Sequence, residues 1–295
     1  MVSETTALRG YADGQLDLQF SPAAWHADRE RTLAHHIRYG AEVADRLHAF
    51  RDIRYGSGPL QTMDIFPGPV ARAPICIALH GGFWRTSDKK AFLFLGERLA
   101  EQGVGYFVIN FDMCPAVGIE TIIRQVHEAV EWIQRHAGKY SCDPSRIYLF
   151  GHATGAHLAA SLLTGTSVGL PQFDRGPLLG ALLVSGLYDL RQIPRLKVNQ
   201  TLKLTPETAL LYSPLFKADA IRAPVIIAAA ANETPEFIAQ SKDMATATTR
   251  ADVPTQFRLV PDCGHFDILD TLLSSEGGLF SDFMRLMADE REVRN

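Results

Sequence analysis

The chain has 295 residues, of which 46% are apolar and 21% charged. This is ordinary globular usage with ample material for a core, so overall disorder is excluded. Lysine plus arginine total 29 against 33 acids, a net charge of -4, which leaves no basic excess to hold nucleic acid.

Residues 1–49 read as an N-terminal arm, with Trp25, His35, His36 and Tyr39 in a helical pattern over 21–49. Segments 52–55 and 61–66 flank Gly56-Ser57-Gly58 and read as an antiparallel hairpin at a sheet edge. From there short apolar runs alternate with longer amphipathic stretches. Strands are predicted at 75–80, 106–112, 147–151, 180–185, 225–230 and 256–261, and helices at 89–102, 121–136, 156–164, 236–248 and 278–288. Apolarity alone does not separate a buried strand from a helix; short length and β-branched content decide for strand. The alternation implies a mostly parallel sheet with helices on both faces. The expected fold is therefore α/β, a single domain over 1–295 with eight strands. Segment 187–214, with three prolines and several basic residues, breaks the alternation. Such insertions either cover an active site or decorate the surface, and the same two readings apply to the N-terminal arm.

The cysteines, Cys76, Cys114, Cys142 and Cys263, are scattered, and no Cys/His group has metal-ligand spacing. No metal or cofactor is expected, and the thiols read as reduced, in a cytoplasmic protein. The N-terminus lacks the basic start and apolar run of a secretory signal. The longest nearly apolar stretch, 223–231, falls far short of the ~20 residues a membrane helix needs, so no membrane association is expected. Oligomeric state stays open, a homodimer included.

The strongest local signal is Gly151-His152-Ala153-Thr154-Gly155, which follows a strand and opens a helix. That is the setting of the nucleophile elbow, G-x-S-x-G, where flanking glycines permit a strained turn that lifts the central side chain above the sheet. The central residue here is Ala153, which has no nucleophilic atom. An engineered replacement and a natural loss of catalysis are both open. The second signal is His80-Gly81-Gly82-Phe83-Trp84, directly after the strand at 75–80. An HGG segment there supplies half of an oxyanion hole, through N–H groups near Gly82 and Phe83, with the N–H of Thr154 as the other half. One such donor is worth roughly 3–4 kcal/mol in the transition state.

The third signal is Cys263-Gly264-His265-Phe266, after the last strand. Of the ten histidines, His265 alone has the strand and chain order of a general base. Glu233 is the first carboxylate past the strand at 225–230, which makes it the acid that orients His265. Its rival, Glu236, falls in the helix that Pro235 opens and suits a helix-capping role. Asp262 and Asp267 are too near His265 in the chain to orient its ring well.

Together these residues resemble the kynurenine formamidase (arylformamidase) branch of the α/β-hydrolases, near the esterases with HGG motifs. HGGFW resembles the family's HGGYW, Asp112-Met113-Cys114-Pro115 its Y-D-L-x-P turn, and GHATGAHLAA its GHSAGAHLA. The run from Asn232 to Phe237 resembles N/H-D-S-P-E-F, which puts Glu233 on the family's catalytic aspartate. Ser21-Pro22 followed by Trp25 resembles its N-terminal arm. Glu233 for aspartate and Ala153 for serine are the two departures.

The resemblance implies an α/β-hydrolase fold and acyl-enzyme hydrolysis of a small aromatic N-formyl amide, amide or ester. In such an enzyme a serine at position 153 attacks, His265 moves the proton and Glu233 holds the imidazolium. Trp84 and Phe266, with Phe83, are expected to line an aromatic pocket. Losing the serine of a triad costs about 10⁶-fold in kcat, so this chain is expected to bind substrate and scarcely turn it over. A natural small-molecule binder and a general carboxylesterase are the alternatives.

Overall fold

The computed structural model describes residues 9–26, 29–166, 178–274 and 278–293. In chain order the helices are α1 (Asp13–Gln19), α2 (Arg29–Arg46), α3 (Gly96–Glu101), α4 (Ile119–His136), α5 (Thr154–Thr164), α6 (Asn199–Leu202), α7 (Pro206–Leu211), α8 (Pro235–Arg250) and α9 (Gly278–Val293). The strands are β1 (Phe50–Arg54), β2 (Thr62–Phe66), β3 (Ala73–Leu79), β4 (Gly105–Ile109), β5 (Cys142–His152), β6 (Leu178–Val184), β7 (Val225–Ala230) and β8 (Thr255–Val260). They form one eight-stranded sheet in the order β1-β2-β4-β3-β5-β6-β7-β8. The β1–β2 and β2–β4 pairs are antiparallel, and every pair from β4 to β8 is parallel.

The pleat sorts the strands between two cores. Ile75, Ile77 and Leu79 of β3 face one side, with α4, α5 and α8, while Cys76 and Ala78 face the other, with α2, α3 and α9. The central strands are therefore buried on both faces, which is why they read as continuous apolar runs rather than as alternation. The helix expected over 89–102 is instead a 3-10 stretch, Lys89–Leu95, that passes into α3. Asp88 starts it by accepting from the Lys90 N–H at 2.9 Å. Six of its seven side chains are buried, all but Lys90, which leaves little amphipathic period to tell a 3-10 coil from an α-helix.

Lys89 anchors this stretch to the sheet. Its ammonium donates to Asp64 of β2 at 2.6 Å and also to Asp52, while Arg51 Nε reaches the other Asp64 oxygen at 2.8 Å. Both Lys89 and Asp64 are buried. Removing one member of a buried pair strands the other charge, at about 3–5 kcal/mol. Because Arg51 and the Asp52 N–H still serve Asp64, Lys89→Met is expected at the low end, about 3 kcal/mol. Urea titration measures it, and adding Asp64→Leu should restore much of the loss.

Candidate active site

The parallel strands deliver their C-terminal ends to one edge, and the residues singled out above collect there. β5 ends at His152, and Ala153 turns the chain into α5 with φ 53° and ψ -120°. A positive φ strains any L-residue. Its neighbours hold the turn: the Ala153 N–H donates to Val184 O at 2.9 Å, and its carbonyl accepts from Ala156 and His157. A Cβ on Gly155 would lie 1.9 Å from the Leu79 carbonyl oxygen, so only glycine lets α5 pack this close to β3.

The His80–Trp84 segment rises beside that turn. A Cβ on Gly81 would meet Ala153 Cβ at 2.9 Å. Gly82, Phe83 and Trp84 all have positive φ, and the Arg85 and Thr86 N–H groups fold back onto the Gly82 carbonyl at 3.2 and 3.0 Å. Among the described residues, the N–H groups of Gly82, Phe83 and Thr154 donate no hydrogen bond. His80 fixes the base of the segment, stacked on Phe111 and 2.8 Å from Asn110 Oδ1.

His265 and Glu233 come together as expected. His265 Nδ1 and Glu233 Oε2 are buried, have no other partner among the described residues, and lie 3.4 Å apart. That is long for a hydrogen bond. The other Glu233 oxygen accepts from the Ser185 hydroxyl and from the Ala230 N–H at 3.0 Å. Phe237 and Phe266 stand edge-on to the His265 ring at 4.7 and 5.0 Å. The His265 carbonyl accepts from His152 Nε2 at 2.7 Å. Burial, with the nearby His265 adding to it, pushes the His152 pKa well below the usual imidazole range, so the ring is neutral and its single proton serves this bond. Glu236 takes no part. Arg9 and Gln240 hold its Oε1 at 3.0 and 2.9 Å, and burial raises its pKa.

A cavity of about 310 Å³ opens above these groups, over Ala153, Thr154, Gly82, Phe83, His265 and Phe266. Phe20, Ser21 and Pro22 of the N-terminal arm wall one side, and Leu196, Lys197 and Val198 wall another. The two segments left open by the sequence therefore both border the cavity. They are tied together there, since Asp17 Oδ1 accepts from the Lys197 N–H at 2.9 Å, and the arm is also held to the start of α8, where Thr234 Oγ1 donates to the Gln19 carbonyl at 2.7 Å.

Trp84 departs from expectation. It does not line the cavity but is buried in the core, edge-on to His157 with ring centroids 5.0 Å apart. The left-handed turn at Phe83 and Trp84 leaves Phe83 on the cavity and sends Trp84 beneath α5. Sequence reasoning missed Phe20, Phe237 and Ser185. Ser185 was reachable in principle, because it ends the strand next to the one that carries Glu233.

His157, under the elbow, donates through Nε2 to the Tyr212 carbonyl at 2.8 Å, and burial drives its pKa down to about 4. In the unfolded chain the imidazole takes its proton near pH 6.5. Stability from keeping this ring neutral is thus complete above about pH 6.5 and is lost as pH falls toward about 4, roughly 3 kcal/mol in all. His80 and His152 shift in the same direction. Denaturation midpoints at pH 7 and pH 4.5 should differ accordingly, and less in His157→Gln.

Among the described residues, no helix is long and apolar enough to cross a membrane, and no group of three or more His, Cys, Asp or Glu side chains is placed to hold a metal. Residues 63–177 match the family described as BD-FAE. The chain is 30% identical over 288 residues to kynurenine formamidase of Salmo salar, covering 92% of this chain and 96% of that one. It is 31% identical over 273 residues to kynurenine formamidase of Danio rerio, covering 88% and 91%. Among solved structures, a candidate thioesterase from a Silicibacter species superposes with a TM-score of 0.81 at 23% identity, over 93% of this chain and 99% of that one. A truncated carbohydrate esterase from gut microbiota gives 0.66 at 20% identity, over 82% and 95%. The last two likenesses bear on the fold.

Proposed function

The chain belongs to the kynurenine formamidase family of α/β-hydrolases, and on that premise we propose that its cavity receives a small aromatic N-formyl amide, amide or ester that the chain binds and scarcely turns over. The observation that carries the reading is a buried His265–Glu233 couple, its carboxylate held by Ser185 and the Ala230 N–H, beside alanine at the elbow. The carbonyl oxygen sits against the N–H groups of Gly82, Phe83 and Thr154, where a developing oxyanion is stabilised. Glu233 orients His265 for proton transfer to the leaving group. The ring packs against Phe83 and Phe266, aromatic walls that suit the substrate class. Without a hydroxyl at position 153 no acyl-enzyme forms, and only about 10³–10⁴-fold acceleration over water remains. The four buried free cysteines suit a reducing compartment, the cytoplasm, and the chain works as one domain.

Calorimetric titration with an aryl formamide and an aryl ester, beside turnover assays of the same pair, tests this. Saturable binding with negligible turnover supports it. Turnover near an ordinary ~10 s⁻¹, or no binding of either, overturns it.

A further inference from the structure

A second chamber, of about 140 Å³, opens from the same point as the main cavity. The two share Arg29, Gly82, Thr86, Ala153, His265 and Phe266. From there the smaller one runs toward Leu33 of α2, Ala91 and Phe92 of the 3-10 stretch, and Leu269. A carbonyl held at Ala153 therefore has room on two sides. The main cavity, with Phe20, Phe83 and Phe237 on its walls, takes the ring. The substituent on the far side of the carbonyl is the acyl group, and a formyl group puts only a hydrogen there.

The chamber is too large for a hydrogen. At about 30 Å³ for each water-sized group it holds roughly four or five. Its two histidines are already served: His36 Nε2 pairs with Asp270 Oδ1 at 2.5 Å, and His152 Nε2 donates to the His265 carbonyl; Thr86 Oγ1 donates to the Gly82 carbonyl at 2.9 Å, and Arg29, exposed to solvent, lies over the Phe266 ring at 5.7 Å. Away from the exposed Arg29, the part of the chamber between Leu33, Ala91, Phe92 and Leu269 is apolar and suits an apolar occupant. Given the reading of the main cavity as an aryl site, we infer that the smaller chamber is an acyl subsite shaped for a straight aliphatic acyl group of three to four carbons. Leu33, Ala91 and Leu269 set its length.

The chain itself is the reagent for the test, because with alanine at position 153 amides survive as ligands. N-acyl anilides of increasing length, from formanilide to hexananilide, are titrated calorimetrically. Affinity is expected to rise roughly fourfold per methylene as far as the butyryl compound, then to fall at hexanoyl, where the chamber is overfilled. Ala91→Leu is expected to remove the preference, with butyranilide losing at least tenfold. Leu33→Phe provides the same test from the opposite wall should the first variant fold poorly. Formanilide binding as tightly as butyranilide overturns the subsite alone, as does a folded Ala91→Leu protein that keeps the butyryl preference. No anilide binding at all overturns the aryl-site reading and the subsite with it.

Discussion

Replacing Ala153 with serine is expected to raise hydrolysis of an aryl formamide or aryl ester by about 10⁶-fold, some 8 kcal/mol of barrier. The size follows from what already stands around the position. The elbow strain is present, with φ 53° at residue 153, so a hydroxyl adds one atom and no new backbone cost. The proposed base and its acid are anchored: Glu233 is held by Ser185 and the Ala230 N–H, and the His265 carbonyl is held by His152. Triad members act as a unit, so restoring the missing one restores nearly the whole effect rather than a third of it. The 3.4 Å gap between His265 and Glu233 is the one element that must tighten on binding. Paired assays of the chain and the Ala153→Ser variant measure the gain, and comparing the two substrates names the bond preferred. In the serine background, Glu233→Gln should remove about 10⁴-fold, as loss of the orienting carboxylate does in other triads. A serine variant that stays inert while still binding both ligands would show that the cavity serves as a binding site and not as a dormant catalytic one.

The sheet was legible in the sequence because its physics is local. Strands such as β3 and β7, buried on both faces, must be apolar at every position, and glycine must stand where the backbone crowds at the strand ends, as at Gly81 after β3 and Gly155 after β5. The order of Ala153, Glu233 and His265 along the chain followed from the strands that carry them. What was not legible depended on direction. Phe83 and Trp84 are adjacent, aromatic and equally near the HGG turn, yet one lines the cavity and the other packs beneath α5. Nothing in the letters tells which way a left-handed turn sends each side chain. The role of residues 187–214 was hidden for a related reason. Leu196, Lys197 and Val198 reach the cavity through a bond from the Lys197 N–H to Asp17, a contact between segments far apart in sequence. The 3-10 stretch Lys89–Leu95 was read as a helix because buried apolar residues there mask the period.

Gly155→Ala sets two effects against each other, and the outcome is expected to be lopsided. Gly155 lies in the first turn of α5 with no positive φ. On intrinsic propensity alone alanine would stabilise the helix by up to about 1 kcal/mol. The new Cβ, however, would lie 1.9 Å from the Leu79 carbonyl oxygen, 2.5 Å from its carbon and 2.7 Å from the His80 carbonyl oxygen. All three are backbone atoms of β3 and the start of the HGG segment, and none can rotate away as a side-chain tip could. The helix must instead retreat by about 1 Å, and it carries Ala156, Leu158, Ala159 and Leu162 out of the core with it. The loss is expected to exceed 4 kcal/mol, in the exceptional range for one methyl group, which lowers the melting temperature by about 10 °C. The same retreat moves the Thr154 N–H away from those of Gly82 and Phe83. In the Ala153→Ser background, any folded Gly155→Ala protein should therefore lose a further 10²-fold or so in rate. Gly138→Ala is the matched control, since a Cβ there meets nothing within 4 Å, and it should leave both melting temperature and rate within error of the parent. Equal behaviour of the two glycine variants would mean that α5 is not pressed against β3, and that the N–H groups of the elbow and of the HGG segment are not held in one rigid frame.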